Sequence, residues 1–409
     1  MKDFHIEIQE VWTENNTIVY VGKGKKADFE FDREIDVKQN LLMPGLVNAH
    51  THSGMTFLRS MADDLPLQQW LHEKVFPIEA KLSKEDIYYF SKLAILEYVT
   101  SGITSNFDMY LNPEAIVQAS LDMGFRTVLC GAVNDFCLSV EDVERCFKAY
   151  NQRNSLISYI LGFSHEYTTS EDKILQIAQL SHKYKAPVYT HLSETKQEVD
   201  SCKKHSGLSP VEYLYKLGVY EYGGGAFHCV YMSQNDLDLF EKKHLNVVTN
   251  PASNLKLASG IAPIHDMLKR NINVCLGTDG AASNNSLDMF KEMFLVTALA
   301  KVKEMDAAVV DACEVLKMAT INGAKALGLN CGVIEEGRLA DLIVLDLHQP
   351  NMQPINNIAK NIVYSGSKAN VILTMVNGKI LYEQGKFDVN CDVGKLYDQV
   401  QKRKEMLGI

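Results

Sequence analysis

The sequence lacks the features that mark membrane, secreted and disulfide-rich proteins. No apolar run approaches the roughly 18 residues that span a bilayer, and the first residues, MKDFHIEIQE, contain no apolar signal segment. The nine cysteines are an odd number without a Cys-x-x-Cys pair, a pattern typical of reduced thiols rather than of a disulfide framework. We therefore expect a cytoplasmic protein without a membrane partner.

Basic residues are also in the minority. The 41 Lys and Arg residues face 51 Asp and Glu residues, so the net charge is −10, which argues against nucleic acid as a partner. With 46% hydrophobic and 22% charged residues, the composition excludes collagenous, low-complexity and largely disordered proteins. The net charge says nothing about a small-molecule substrate.

Both chain ends contain short segments in which apolar and polar residues alternate. Phe4–Ile8 and Thr17–Val21 follow this period of two, as do the runs after Ala340, and the period predicts antiparallel strands. Asn377-Gly378 lies between two such runs and predicts a hairpin turn. The charged segment Val393–Ile409 predicts a surface helix.

The middle of the chain alternates between short apolar runs and segments with helical spacing, such as Lys84–Thr100 and Glu171–Tyr184. Eight strands, each followed by a helix, predict an α/β fold, the (β/α)8 TIM barrel, over residues 43–337. We expect residues 1–42 and 338–409 to pair as one small, discontinuous β-sandwich domain. The eight runs are LLMPGLVNAH, GITSNFDMY, RTVLCGAV, ISYILGF, APVYTH, GAFHCV, NVVTN and NVCLGTD.

Polar side chains stand where several of these predicted strands end. In a (β/α)8 barrel the active site forms at the carboxyl ends of the strands, so these residues should meet at one site. They are His50 and His52 in the first run, His191 in the fifth, His228 in the sixth and Asp279 in the eighth.

Four of these residues form a set that suits a metal ion. His50 and His52 are two apart on a strand, so both imidazoles point to the same side. With His191 and Asp279 they make three nitrogens and one oxygen, which suits zinc or another borderline divalent ion. The alternative for Asp279 is an ordinary turn aspartate in Asp-Gly, but a turn role does not explain why Asp279 lies at the end of a predicted strand.

Glu194 follows His191 by three residues, in THLSET. A divalent ion lowers the pKa of its bound water to about 7, and a carboxylate beside it can transfer the proton. The alternative is a glutamate placed at a helix N-terminus by the helix dipole. His228 could be a further ligand, a group that polarises the bond under attack, or an ordinary core histidine.

Several stretches together resemble the amidohydrolase superfamily. Within it they are most similar to the cytosine-deaminase-like branch of S-adenosylhomocysteine/5′-methylthioadenosine deaminases. The resemblance runs in order along nearly the whole chain and includes GRLADLIVLDL near its end. The stretches are MPGLVNAHTHSGMTFLR, VYTHLSET, NPASNLKLASGIAPI and LGTDGAASNNSLDMF.

The resemblance implies a site with a single metal ion. His50, His52, His191 and Asp279 would bind one divalent ion, usually zinc in such relatives, with iron or manganese as alternatives. The fourth run ends without a lysine, so the two-metal site with a bridging carbamylated lysine is not expected.

The resemblance also implies roles in catalysis. Glu194 would move protons between the attacking water and a ring nitrogen of the substrate. His228 would orient the nucleophile or polarise the ring, and Asp279 would pass the remaining proton to the leaving ammonia.

Substrate contacts are implied for three further residues. Trp70 and Glu79, in LPLQQWLHEKVFPIEAKL, would pack on the substrate and hold the ribose hydroxyls, and His165 would meet a purine nitrogen. An amphipathic loop and helix is the alternative for Trp70 and Glu79.

The sequence departs from the family pattern in one place. Relatives that act on S-adenosylhomocysteine are expected to place arginines near the end of the third strand, to receive the amino-acid carboxylate. Here Gly131 and Asp142 stand at those positions, and Arg145 is the nearby basic residue, for which a solvated helix position is favoured. A bidentate arginine–carboxylate contact is not easily replaced, so substrates without that carboxylate are favoured.

We therefore expect an aminohydrolase that converts an adenine nucleoside to its inosine analogue and ammonia. The substrates in question are 5′-methylthioadenosine, adenosine, 5′-deoxyadenosine and S-adenosylhomocysteine. One alternative is a deaminase or chlorohydrolase of another heterocycle: a pterin, guanine, cytosine or a triazine. A catalytically silent metal-binding barrel is an alternative of a different class. Relatives suggest a homodimer or homotetramer.

Overall fold

The fold is described from a computed structural model that covers residues 6–24, 28, 30–61, 63–65, 69–152 and 154–409. The strands, β1 to β15 in chain order, are Glu10–Glu14, Thr17–Gly22, Leu41–Pro44, Leu46–Thr51, Ile103–Asp108, Arg126–Cys130, Ile157–Gly162, Val188–Leu192, Gly224–His228, Asn246–Thr249, Asn273–Leu276, Leu342–Leu345, Val371–Val376, Lys379–Glu383 and Lys386–Phe387.

Helices lie between most of these strands, and Trp70–Val75 forms a π-helical turn. None of the described helices combines the length and apolar character that crossing a bilayer requires. The α-helices are Phe76–Glu79, Lys84–Thr100, Pro113–Met123, Val140–Tyr150, Glu171–Tyr184, Lys196–Ser206, Pro210–Lys216, Gln234–Lys243, Pro251–Lys256, Ile264–Lys269, Ala281–Asn284, Met289–Glu304, Ala312–Met318, Ile321–Leu327, Ile358–Tyr364 and Val393–Met406.

Strands β4 to β11 form one eight-stranded sheet in which neighbours in sequence are neighbours in space. The pairs are parallel, and helices connect the strands. Each strand lies in one of the eight predicted apolar runs or extends one residue beyond it, so the predicted (β/α)8 fold is confirmed. The runs are continuously apolar because helices cover the outside of the sheet and side chains fill its inside.

Hydrogen bonds at the site end join the first and last strands of this sheet. The backbone N–H of Asp279 donates to the His50 carbonyl at 3.0 Å. The Asn48 side chain accepts from the Thr278 backbone N–H at 2.9 Å and donates to the Thr278 hydroxyl at 2.7 Å. These bonds bring the carboxyl ends of β4 and β11 side by side.

Aromatic side chains fill the barrel beneath this end. The rings of Phe107 and Phe227 lie 5.6 Å apart and those of Phe107 and Tyr189 lie 5.0 Å apart, and all three side chains are fully buried. Phe227 also stacks on the ring of His50 with centroids 3.8 Å apart. The core therefore supports the imidazole of His50 from below.

Both chain ends contribute to antiparallel sheets, as predicted. Strand β3 pairs with β12, and the full order is β15-β14-β13-β12-β3. The β1–β2 hairpin packs against this sheet through the buried side chains of Ile18, Ala340 and Leu342. Asn377-Gly378 turns β13 into β14 with positive φ angles of 54° and 80°, the backbone that a two-residue hairpin turn requires.

The prediction of a strand over Phe4–Ile8 is wrong for residues 6–8, the part of this segment that the structure describes. Phe4 lies outside the described residues, and the first strand begins at Glu10. Ile6 and Ile8 are 52% and 84% exposed. Their alternation with polar residues satisfies the pattern of a strand, but no core covers their apolar side.

The C-terminal segment is helical over Val393–Met406, as predicted, and it is anchored to the barrel. Arg403 is buried against the helix Lys84–Thr100, where it donates to Asp86 at 2.9 Å and lies over the ring of Tyr89 at 4.6 Å. The helix is therefore a surface element with one face packed on the barrel.

A buried ion pair links the barrel to the small sheet. Arg126, the first residue of β6, donates from Nε and Nη2 to the two carboxylate oxygens of Asp341 at 2.7 and 3.1 Å. Both side chains are nearly inaccessible, at 2% and 1% exposure. Asn377 joins the pair, since its side-chain oxygen accepts from Arg126 at 3.0 Å and its backbone N–H donates to Asp341 at 2.6 Å.

Replacing Asp341 with Asn should destabilise the protein strongly, because Arg126 would keep a buried charge without its counter-ion. Breaking one side of such a pair costs about 3–5 kcal/mol, which urea unfolding would measure as a lower free energy of unfolding. Glu114→Gln is the matched control, since the exposed Glu114–Arg145 pair at 2.9 Å should contribute about 1 kcal/mol or less. Equal effects of the two substitutions would mean that the buried pair does not hold the two parts together.

Candidate active site

The predicted metal-binding residues meet at the carboxyl end of the barrel. His50 lies in β4 and His52 directly after it, His191 lies in β8, and Asp279 follows β11. Three of the four side chains are at least nine-tenths buried, and that of His52 is 15% exposed. Parallel strands end at one edge of a sheet, so residues far apart in sequence converge there.

The geometry of these four residues is compact. Asp279 Oδ1 lies 3.1 Å from His52 Nε2 and 3.5 Å from His50 Nε2. The imidazole of His50 is 4.8 Å from those of both His52 and His191, centroid to centroid. One ligand atom from each of His50, His52 and His191 lies within 4.8 Å of the others, and the same holds for His50, His228 and Asp279.

Neighbouring groups orient the ligand atoms. The Nδ1 atoms of His52 and His191 contact the backbone carbonyls of Met109 and Ser164, the latter at 2.9 Å. These contacts place the Nδ1 proton on the carbonyl side and leave each Nε2 free toward the cluster. Such an outer hydrogen bond accompanies most histidines that bind metal.

The electrostatics of the cluster also suit a cation. Burial lowers the pKa of His50 to about 3, so this imidazole is neutral, and neither of its ring nitrogens has a hydrogen-bond partner among the described residues. Burial raises the pKa of Asp279, but the adjacent imidazoles of His50 and His52 outweigh burial and hold the pKa well below its usual range. Buried polar atoms are rarely left unpaired, and a divalent cation would pair with one ring nitrogen of His50 and with the carboxylate of Asp279.

Asp279 is held by further contacts. The Ser253 hydroxyl donates to its Oδ2 at 2.6 Å, and the Gly280 backbone N–H donates to Oδ1 at 2.8 Å. Ser253 belongs to the NPASN stretch that follows β10. This stretch therefore contributes a direct contact to the site.

Glu194 is buried beside this cluster. Its Oε2 lies 4.0 Å from His228 Nε2, and the Ser259 hydroxyl is 3.4 Å from its other oxygen. Burial raises the pKa of Glu194. A carboxylate with a raised pKa can both accept and return a proton near neutral pH.

The alternative role for Glu194, at a helix N-terminus, is filled by another residue. The next helix begins at Lys196 with Thr195 as its N-cap, and Glu198 completes the capping box. The Glu198 carboxylate accepts from the backbone N–H groups of Ser193 and Glu194 at 2.6 and 2.8 Å. The side chain of Glu194 is therefore free of the helix terminus.

His228 ends β9 and is oriented by two asparagines. Its Nδ1 lies 2.7 Å from the side-chain oxygen of Asn254 and 3.4 Å from the Asn250 amide nitrogen. The shorter contact places the imidazole proton on Nδ1, which leaves Nε2 toward Glu194. His228 thus belongs to the site rather than to the general core.

The backbone at these strand ends is strained. His228, Asp279 and Ser193 have φ angles of 70°, 59° and 51°, values that side-chain-bearing residues rarely adopt. Such strain concentrates at functional sites, where the surrounding structure holds it in place. Two of the three strained residues, His228 and Asp279, belong to the site.

The three residues expected to contact substrate occupy different surroundings. His165 stacks on His191 with centroids 4.3 Å apart. Glu79 accepts from the Tyr110 hydroxyl at 2.6 Å, and burial raises the pKa of Glu79 to about 7. Trp70 is 5% exposed within the main apolar core, and its indole N–H has no partner among the described residues.

Asp108 is a member of the site that the sequence analysis did not identify. It ends β5, is fully buried, and accepts from the Ser53 backbone N–H at 3.2 Å. Burial raises its pKa to about 6, and His52 is close enough to oppose that rise. The rule that found His50 and His191, a polar residue at the end of an apolar run, would have found Asp108 in GITSNFDMY.

The chain is similar to known proteins along most of its length. It is 43% identical to a 5-methylthioadenosine/S-adenosylhomocysteine deaminase of Acetivibrio thermocellus, over 87% of this chain and 84% of that one. It is 37% identical to a 5′-deoxyadenosine deaminase of Methanocaldococcus jannaschii, over 98% and 96% of the two chains. The crystal structure of a zinc-bound adenosine deaminase from Xanthomonas campestris superposes with a TM-score of 0.93 at 31% identity, covering 98% of this chain and 94% of the other.

The match to a protein family agrees with these relatives. The model of the amidohydrolase family matches residues 41–381, a range that contains the whole barrel and every residue of the site. The chain therefore belongs to the amidohydrolase family.

Proposed function

We propose that the protein catalyses the hydrolytic deamination of an adenine nucleoside. Water adds to the purine carbon that bears the amino group, the bond from that carbon to nitrogen breaks, and the inosine analogue and ammonia leave. The observation that carries the proposal is the buried Glu194 carboxylate next to His228, at the edge of the histidine–aspartate cluster. Relatives named for the deamination of adenine nucleosides support this reaction.

We propose that His50, His52, His191 and Asp279 hold one divalent ion, with zinc first and iron or manganese as alternatives. The free nitrogens of buried His50 and the low pKa of Asp279 support this assignment. When bound, a divalent ion supplies the Lewis acidity that makes water a nucleophile at neutral pH.

The protein's own groups would move the protons. Glu194 would take a proton from the attacking water and give it to the adjacent ring nitrogen of the purine, for which a raised pKa suits it. His228, oriented by Asn254, would hydrogen-bond the nucleophile through Nε2. Asp279 would pass the second proton to the amino group, so that ammonia leaves as a neutral molecule.

Residues around the cluster would bind the rest of the nucleoside. Glu79, already hydrogen-bonded by Tyr110, would accept from the ribose hydroxyls. His165, stacked on His191, would meet a purine nitrogen, and Trp70 would pack on the substrate.

The end of the third barrel strand supports a substrate without a carboxylate. A Cβ atom on Gly131 would lie 2.6 Å from the Gly162 carbonyl oxygen, so an arginine could not stand there unless the neighbouring strand moved. Arg145 is exposed and pairs with Glu114 at 2.9 Å and Asp142 at 3.1 Å. Its charge is therefore already compensated on the surface.

We also propose that the enzyme works in the cytoplasm. All nine cysteines are free thiols, which suits a reducing compartment. Cell fractionation would contradict the proposal if the protein were recovered outside the cytoplasmic fraction.

Replacing Glu194 with Gln should lower kcat by about 10²–10⁴-fold, the usual contribution of a general acid–base group. The variant should keep its metal, because Glu194 is not among the proposed ligands. Ammonia release from 5′-methylthioadenosine and metal analysis of the same sample would measure both. The control is Glu221→Gln, at an exposed position paired with Lys243, which should keep the wild-type kcat. A near wild-type kcat for Glu194→Gln would contradict the role proposed for Glu194.

Replacing His191 with Asn should remove both the bound metal and the activity, because the site would lose a buried nitrogen ligand. Treatment of the wild-type enzyme with a chelator should abolish turnover, and added Zn²⁺ should restore it. His182→Asn changes an exposed histidine and should leave metal content and kcat unchanged. Full activity in the chelated enzyme would contradict a metal-dependent reaction and support another chemistry.

Substrates with a small uncharged 5′ group should be preferred over S-adenosylhomocysteine. A panel of 5′-methylthioadenosine, 5′-deoxyadenosine, adenosine and S-adenosylhomocysteine, compared by kcat/KM, would measure the preference. Arg145→Met should not change the ratios of kcat/KM between these substrates, because Arg145 is paired with Glu114 on the surface. The inference fails if kcat/KM for S-adenosylhomocysteine exceeds kcat/KM for 5′-methylthioadenosine by about tenfold.

Including guanine, cytosine, a pterin and a triazine in the same panel tests the alternative substrates. Faster ammonia or chloride release from one of these would keep the reaction type and replace the nucleoside. No release from any compound by the metal-loaded protein would support a catalytically silent barrel.

A further inference from the structure

A second group of potential metal ligands lies outside the active site. Glu166, Cys202 and His205 each offer a ligand atom, and these three atoms lie within 4.8 Å of one another. Glu166 belongs to the loop between β7 and the helix Glu171–Tyr184, whereas Cys202 and His205 lie on the helix Lys196–Ser206. We refer to these three residues as the Glu166 cluster.

The carboxylate of Glu166 is the unusual member of this cluster. The residue is only 6% exposed, and its Oε1 is buried without a hydrogen-bond partner among the described residues. No lysine or arginine in the described part of the chain forms an ion pair with it. A carboxylate buried in this way calls for a cation or a proton.

The two residues on the helix suit a metal ion in type and spacing. Cys202 and His205 are three residues apart, so they lie on the same face of the helix. The Nδ1 atom of His205 lies 3.0 Å from the Ser201 carbonyl oxygen, which places its proton there and leaves Nε2 as the free nitrogen. A metal-binding histidine is typically oriented by such a bond.

We propose that Glu166, Cys202 and His205 bind a second divalent metal ion of the zinc class, separate from the one in the active site. Thiolate, imidazole and carboxylate are all ligands of Zn²⁺, and a thiolate disfavours Mg²⁺ and Ca²⁺. Three protein ligands leave a fourth position for water. His205 is exposed, so an ion can enter from solvent on its side.

Binding would release a proton, because Cys202 is a buried thiol. Cys202 is fully buried, and burial favours the protonated thiol over the thiolate. The ion replaces that proton, which passes to solvent, and forms the bond to sulfur.

The position of the Glu166 cluster gives the ion a structural role near the active site. Glu166 is adjacent in sequence to His165, whose ring stacks on His191. The helix that carries Cys202 begins two residues after Glu194. An ion at the cluster would tie the loop of His165 to the helix that follows Glu194.

Cobalt provides the test, because a bond from sulfur to Co²⁺ gives a near-ultraviolet charge-transfer band. The proposed active-site ligands are histidines and an aspartate, so only a site with cysteine produces this band. Metal-free protein titrated with Co²⁺ should bind two equivalents per chain, and the binding of one of them should produce the charge-transfer band. Cys202→Ser should abolish the band and one equivalent, whereas Cys146→Ser, at another buried helical cysteine, should keep both.

His205→Gln separates the loss of a ligand from a failure to fold, because His205 is exposed on the helix surface. This variant and Glu166→Gln should lower the affinity for the second equivalent, and His244→Gln, at another exposed histidine, should not. With one metal per chain already bound, further Zn²⁺ should raise the Tm of the wild type but not that of His205→Gln.

The proposal is overturned if the wild type binds a single equivalent without the band, or if the band persists in Cys202→Ser. Both readouts are independent of deamination. An inactive protein with an intact band would contradict the proposed function alone, and an active protein without the band would contradict the second metal site alone.

Discussion

The active site depends on the closure of the parallel sheet. His50 and Asp279 are 229 positions apart, yet the backbone N–H of Asp279 donates to the carbonyl of His50. The Asn48–Thr278 hydrogen bonds hold the same two strand ends together. This contact holds the ends of the first and last strands together, so that the histidines and the aspartate meet at one place.

The cost of burying these polar groups explains much of the surrounding structure. Imidazoles and carboxylates lose their hydration at the barrel end, and each unpaired group there is expensive. Backbone carbonyls of Met109 and Ser164, the hydroxyl of Ser253 and the amide of Asn254 compensate part of that loss. These contacts leave the ring nitrogens of His50 unpaired and the carboxylate of Asp279 charged. A divalent cation binds to groups of this kind. The same principle, applied to Glu166, points to the second cluster.

The small sheets matter to the barrel through buried contacts rather than through chemistry. Arg126 begins a barrel strand and pairs with Asp341, the residue directly before β12, so the two parts share one desolvated ion pair. Strand β3 in the small sheet is followed within two residues by β4, which carries His50. The small sheet is therefore joined directly to the start of the strand that carries His50.

The sequence by itself determined the eight strands, the Asn377-Gly378 turn and the residues that end the strands, because apolar runs and turn residues are local patterns. Asp108 follows the same local pattern at the end of β5, but the tertiary structure was needed to show that it is buried near His52. The sequence also predicted a strand over Phe4–Ile8, because alternation alone does not show whether a core covers one side. Only the tertiary structure decided which groups contact one another: Ser253 with Asp279, Asn254 with His228, and Glu166 with Cys202 and His205. The reason is physical, since the burial that makes an unpaired nitrogen or carboxylate costly depends on elements that are distant in sequence.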